Sequence, residues 1–213
     1  VNPSNDTLAG ALAEFDIDLP EDQVAKLDDY CRLLWEWNEK INLTRHTDYQ
    51  KFVARDVVDS LAIAGQLRDA ERILDVGSGG GPPGVILAVL RPDLKVTLSE
   101  SIGKKARVLD ELVERLALPV EVFHGRAEDC LAEQTFDTLV IRAVARLRKL
   151  LTWFAPHWDH FGRMLLVKGP SWVDQRGEAR HRGLMHDLAL RKLSTYTIPG
   201  TDIESVVLQI TRK

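Results

Sequence analysis

The chain has 213 residues, 45% hydrophobic, 28% charged and 7% aromatic, which fits one domain able to bury about 70% of its unfolded surface without disulfides or a structural metal. Fourteen Gly and nine Pro exclude a collagen-like or low-complexity chain, no apolar run approaches the ~18–20 residues of a membrane span, and Cys31 and Cys130 lie far apart, so reduced thiols and a cytoplasmic location are expected. The net charge of −4 hides an asymmetry, −7 over residues 1–70 and −4 over 71–140 against +7 and four of the six His over 141–213, so an anionic partner is expected at the last third.

The first twenty residues are acidic and lack the apolar core of a signal peptide. Over residues 21–42, Val24, Leu27, Tyr30, Cys31, Leu34, Trp37 and Ile41 recur at three-and-four spacing, which predicts a helix opening after Pro20. Phe52, Val53, Val57, Leu61 and Ala64 predict another, so residues 1–70 read as a helical cap. From residue 71 the period changes. Short apolar or β-branched runs at Ile73–Val76, Val96–Ser99, Val120–His124, Thr138–Ile141 and Met164–Val167 alternate with helical patterns at Val85–Leu90, Lys104–Leu116 and Leu147–Phe154. Such alternation predicts βαβ units and a parallel sheet. Leu188–Ile198 and Ser205–Thr211, separated by the Pro199-Gly200-Thr201-Asp202 turn, read as an antiparallel pair at one edge. The expected fold class is therefore α/β: a doubly wound, Rossmann-like sheet over residues 71–213 with a C-terminal antiparallel strand pair and an N-terminal helical cap, forming one compact unit. Ligands of such sheets sit outside the carboxyl ends of the strands.

The strongest local signal is Ile73-Leu74-Asp75-Val76-Gly77-Ser78-Gly79-Gly80-Gly81-Pro82-Pro83-Gly84. A buried strand runs into a glycine-dense turn and then a helix, whose exposed N-terminus would favour an anionic group. From Gly79 the letters fit the dinucleotide fingerprint G-x-G-x-x-G. Against that reading, the glycine that directly follows the strand is Gly77, its spacing fails at Pro82, and charged Asp75 stands where a dinucleotide fold wants an apolar residue. At the end of the next strand, Glu100 is placed to accept the two hydroxyls of a ribose.

The D-V-G-x-G turn and strand-end acid resemble class I methyltransferases that use S-adenosylmethionine. A longer set resembles one family among them: Leu34-Trp35-Glu36-Trp37-Asn38, Asn42-Leu43-Thr44, Asp59-Ser60, the Gly-Pro-Pro-Gly turn, Lys104-Lys105, Gly125-Arg126-Ala127-Glu128, Arg142-Ala143-Val144-Ala145 and Lys168-Gly169. In order from about Leu33 onward, these are similar to the small-subunit (16S) rRNA methyltransferase G family, also called glucose-inhibited division protein B. The chain departs from that pattern at Asp56, where the family usually has His, and at Pro82, where Phe or Leu is commoner.

The resemblance implies S-adenosyl-L-methionine as cofactor and Gly77, Pro82, Ala127, Glu128 and Arg142 as its contacts; Gly79, Gly81 and Glu100 join them from the turn and strand-end reading. It implies 16S rRNA or a small-subunit assembly particle as partner, with methyl transfer to N7 of a guanine near the decoding site. The residues themselves are compatible. Cysteine nucleophiles serve carbon-5 methylation of pyrimidines, but Cys31 lies on a helical core face and Cys130 has no activating neighbour in sequence. No N-P-P-Y-like run follows the fourth strand, and N7 carries a free lone pair, so no general base is expected and Arg142 is read as a positioning residue. Arg146, Arg148, Lys149 and Lys168 are expected on RNA phosphates, with Arg176, Arg180 and Arg182 as further candidates. Trp35 and Trp37 read as core packing, and His157-x-x-His160 lacks the partners of a metal site. A monomer is expected, with no metal and no membrane contact. The alternatives are transfer to another RNA base or to protein, a non-catalytic RNA-binding module, and a nicotinamide-dependent oxidoreductase.

Overall fold

The computed structural model describes residues 6–213; the first five residues of the expected cap lie outside that range. Seven strands form one sheet in the order β3-β2-β1-β4-β5-β7-β6. They are β1 (Arg72–Val76), β2 (Lys95–Glu100), β3 (Glu121–His124), β4 (Phe136–Arg142), β5 (Phe161–Lys168), β6 (Leu188–Thr197) and β7 (Glu204–Arg212). The first five are parallel, and β7 runs antiparallel to both β5 and β6. The chain winds outward from β1 to β3 and then returns to β4, so the strand order reverses between β1 and β4. That reversal opens a crevice at the strands' carboxyl ends.

Strand alternation sorts the sheet's side chains into two cores. Ile73, Val96, Leu98, Val140, Leu165, Val167 and Val207 face one side, packing with the cap, α5 (Gly84–Leu90) and α6 (Gly103–Arg115). Leu74, Val76, Leu139, Ile141, Met164, Leu166 and Leu208 face the other, against α7 (Ala127–Glu133), α8 (Leu147–Phe154), a 3-10 turn at Ala155–His160, and α9 (Trp172–His181).

The cap comprises α1 (Leu8–Glu14), α2 (Glu21–Asn38) and α3 (Tyr49–Lys51), the last continuing through a π turn (Phe52–Val57) into α4 (Val58–Ala64). Leu27, Tyr30, Cys31 and Leu34 form the buried stripe of α2, as their spacing predicts. This helix stops four residues before the periodicity does. Asn38 Oδ1 accepts the N–H groups of Leu43 (2.8 Å) and Thr44 (3.0 Å) and so turns the chain. Trp35 and Trp37 pack on the core, each with its indole N–H satisfied, by the His46 carbonyl (2.8 Å) and Glu111 (3.1 Å).

Arginines tie the cap to the sheet's amino end. Arg91 donates to the carbonyls of Ala64, at the end of α4, and of Leu67 and Arg68 just beyond it. Glu71, 3% exposed, receives Arg163 Nη2 at 3.0 and 3.1 Å, and Arg163 also reaches the Gln66 carbonyl (2.8 Å) and Gln209 (3.0 Å). The Thr138 hydroxyl completes the cluster, donating to Glu71 and accepting from Arg163. Removing one partner of a buried pair strands the other in low dielectric. Glu71→Ala should therefore lower unfolding free energy by about 3 kcal/mol, read as an earlier urea midpoint; an unchanged midpoint would refute the role.

Candidate active site

The turn after β1 has two faces. Gly77 (φ +67°) is exposed toward a cleft of about 180 Å³, and a Cβ there would sit 3.2 Å from the Val144 side chain. Ser99, Ser101, Ala127, Glu128 and Trp153 line the same cleft at the ends of β2 and β3 and on α7 and α8. Gly80 and Gly81 face the cap. A Cβ at Gly81 would lie 2.6 Å from Tyr30 Oη and one at Gly80 3.1 Å from Leu34, while Tyr30 Oη donates to the Gly80 carbonyl at 2.8 Å. Gly81, expected at the ligand, is thus occupied with cap packing, and Pro82 is absent from the cleft's lining.

Asp75 shares a face with Ile73 and lies under the start of α5. Its Oδ2 accepts the Gly84 N–H at 3.1 Å, and a Cβ on Gly84 would stand 2.6 Å from that oxygen. The N-terminus of α5 is therefore capped internally by the Asp75 carboxyl group. The expected exposed anion site at this helix does not exist, because Gly84 is buried and its N–H is taken. Burial pushes the Asp75 carboxyl up to about 7, against the lowering effects of its hydrogen bonds and of Arg142.

Glu100 is nearly buried at the end of β2. Its Oε2 accepts Gly79 N–H (2.9 Å) and its Oε1 accepts Ile102 N–H (2.8 Å), so it braces the turn that carries Gly77 and Gly79. Each carboxylate oxygen keeps a second lone pair. Ser99 and Ser101 on either side reach the cleft lining.

A second cleft, about 410 Å³, adjoins the same segment after β4. Arg142, Ala143 and Lys168 come from the ends of β4 and β5, His46, Arg55 and Asp59 from the cap, and Ile198, Ile203 and Ser205 from the β6–β7 hairpin. Arg142 is 16% exposed and its fork is filled from within. It pairs with Asp56 Oδ1 and with Asp59 Oδ2 (3.3 Å), and it donates to the Arg55 carbonyl (3.3 Å). The cap thus supplies carboxylates to Arg142, which the resemblance gave as a cofactor contact. Asp56, 1% exposed, also contacts His46 Nδ1 at 2.8 Å, and Asp59 accepts from Tyr196 Oη at 2.6 Å. Burial raises the Asp59 carboxyl and outweighs the lowering effect of Arg142. Ala143, between the clefts, holds a left-handed backbone (φ +57°), a strain of about 1–3 kcal/mol for a non-glycine residue.

Lys168 donates to the Ala145 carbonyl (2.6 Å), and burial lowers its ammonium's affinity for a proton. It is a partly buried brace of the 142–145 segment more than a surface cation. Arg148 pairs with Glu178 (3.0 Å), which also draws Arg182 (3.6 Å), and Arg176 lies over the Trp172 ring. Arg146 and Lys149 are exposed and have no acidic partner among the described residues. Burial raises both thiols, Cys130 to about 11, so neither offers a thiolate nucleophile. Sequence reading misses His46 and Tyr196 and marks Asp56 only as a departure from the family pattern.

Comparison with known proteins places these features in a family. The family model described as rRNA small subunit methyltransferase G matches residues 23–199. The ribosomal RNA small subunit methyltransferase G of Rhodopirellula baltica is 51% identical over 188 residues, 88% of this chain and 81% of that protein. The protein of the same name from Marinobacter nauticus is 36% identical, covering 96% and 94%. Among solved structures, a methyltransferase from Pyrococcus furiosus aligns with a TM-score of 0.56 at 16% identity, over 73% of this chain and 82% of that one. M. capricolum TrmK, solved with S-adenosyl-homocysteine, also aligns at 0.56, with 12% identity over 73% and 68%. These likenesses show the fold.

The Asp75 carboxyl sets a pH dependence. Folded, it keeps its proton up to about 7, whereas the unfolded chain releases it near 4. Its contribution is therefore full at low pH and is lost as pH rises toward 7. Thermal melts between pH 5 and 8 should show wild type losing stability relative to Asp75→Asn up to about pH 7 and no further above it. Parallel curves would contradict the shift.

Proposed function

The chain belongs to the rRNA small subunit methyltransferase G family, and on that premise we propose that it methylates N7 of a guanine near the decoding site of 16S rRNA. As a member, it is an S-adenosylmethionine-dependent methyltransferase of small-subunit rRNA. The observation that carries the finer reading is the pair of clefts flanking one segment, Arg142–Val144.

The first cleft fits the cofactor chemically. Gly77 offers bare backbone at its mouth, Ala127, Val144 and Trp153 give apolar walls suited to an adenine ring, and Glu128 and the Ser99 and Ser101 region supply polar groups. Gly79 and Glu100 hold this arrangement in register, with lone pairs of Glu100 left for ribose hydroxyls. When bound, S-adenosylmethionine supplies a methyl group on a positively charged sulfur. Guanine N7 attacks with its own lone pair and has no proton to lose, so the protein's part is alignment and exclusion of water. That agrees with a cleft holding no cysteine. Arg142 and Lys168 act as positioning residues, fixing the walls between cofactor and base. The second cleft is a recess for a base drawn out of its stack, as chemistry on a base requires.

Arg146 and Lys149 lie just beyond that segment and are the cations best placed for phosphate; Arg148 is held by Glu178. The partner is 16S rRNA, free or in a small-subunit assembly particle, bound by a monomer in the cytoplasm. No described helix is long and apolar enough to cross a membrane.

Nucleoside analysis of 16S rRNA treated with the purified protein should yield 7-methylguanosine; a methyl on another guanine atom or another base would overturn the assignment. Separately, Arg146→Ala/Lys149→Ala should reduce the salt dependence of RNA binding by about 0.7 in log–log slope per lost phosphate contact. An unchanged slope would place the RNA elsewhere.

A further inference from the structure

His46 is held more firmly than a half-exposed loop residue needs to be. Its N–H donates to Thr44 Oγ1 (3.0 Å), its carbonyl accepts from Trp35 Nε1 (2.8 Å), and its ring Nδ1 meets Asp56 Oδ2 (2.8 Å). The other oxygen of Asp56 is bound to Arg142, which fixes that carboxylate in turn. Asp56, already paired with Arg142, is placed to accept from Nδ1–H, the tautomer that leaves Nε2 with a bare lone pair. Among the described residues Nε2 has no hydrogen-bond partner. The side chain is 26% exposed and lines the second cleft.

We propose that His46, oriented by Asp56, recognises the acceptor base, with Nε2 accepting a hydrogen bond from the N1–H or 2-amino group of guanine. The proposal rests on the second cleft being the acceptor site. Guanine presents donors on that edge, whereas adenine presents a bare N1 and a C–H, so a fixed acceptor favours guanine and leaves adenine's N1 facing a lone pair. The contact also strengthens during the reaction. As N7 takes the methyl, positive charge spreads over the purine, and its N1–H and amino group become better donors. An acceptor on that edge therefore holds the transition state more tightly than the ground state. No proton need pass to His46 for the methyl to move.

The test is single-turnover methyl transfer to rRNA carrying guanine, inosine (no 2-amino group) or 2-aminopurine (no N1–H) at the target position. His46→Ala should lower the single-turnover rate on guanine at sub-saturating concentrations about 10–100-fold, with S-adenosylmethionine affinity and melting temperature close to wild type. One of the two analogues should penalise wild type and penalise His46→Ala by clearly less, because the lost partner is shared. His46→Phe keeps the ring's bulk without its nitrogens and should behave as His46→Ala, which covers the case in which Ala disturbs the loop; His46→Gln, with an amide acceptor, should recover part of the rate. Equal analogue penalties in wild type and both nitrogen-free variants, or wild-type rates in those variants, overturn the proposal. If wild type places the methyl on an atom other than guanine N7, the acceptor reading itself fails, on a result independent of His46.

Discussion

The geometry of the site depends on one buried guanidinium. Arg142 ends β4 at the crevice and binds two carboxylates of the cap, Asp56 and Asp59. Burying three charges carries a desolvation cost that Coulomb attraction repays only in good geometry, so the cluster tolerates few arrangements of cap against sheet. Much of the second cleft's lining follows from that restriction. Asp56 positions His46, Asp59 anchors Tyr196 of the β6–β7 hairpin, and the segment after β4 is held where both clefts touch it.

The glycine turn shows how the cap and the first cleft make opposing demands on the same few residues. Gly77 must leave space toward Val144, while Gly80 and Gly81 must leave space for Leu34 and Tyr30. A turn read from sequence as a ligand cradle is on its other side a docking surface for α2. Asp75 belongs to this compromise: it caps α5 from below, where an incoming anion would otherwise have found free N–H groups.

The parallel strands and α5, α6 and α8 were legible because burial leaves apolar runs that little else explains, as in Ile73–Val76 and Thr138–Ile141; α7, between β3 and β4, was not, with only Ala127, Cys130 and Leu131 of its seven residues buried. Helix α9 was not legible: only Gln175 and Ala179 of its ten residues are buried, and a stripe that thin leaves no 3.6-residue period. Glu100, Gly77 and Ala127 were legible as neighbours because the fold brings consecutive strand ends together. The partners of Arg142 were hidden for the opposite reason. Asp56 and Asp59 lie more than eighty positions earlier in the cap, legible only as a departure from the family pattern and as part of its Asp59-Ser60 motif; no local pattern announces such a pairing. His46 was hidden twice over, on a loop and beside an aspartate that only the fold brings near it.

The cap is pinned at both margins of the sheet, by Arg91 and Arg163 at the amino end and by Arg142 at the carboxyl end. Two widely separated attachments oppose any swing of the cap about a single edge. Its slowest amides should then exchange with solvent only through the opening that also frees the central strands, making cap and sheet a single cooperative unit.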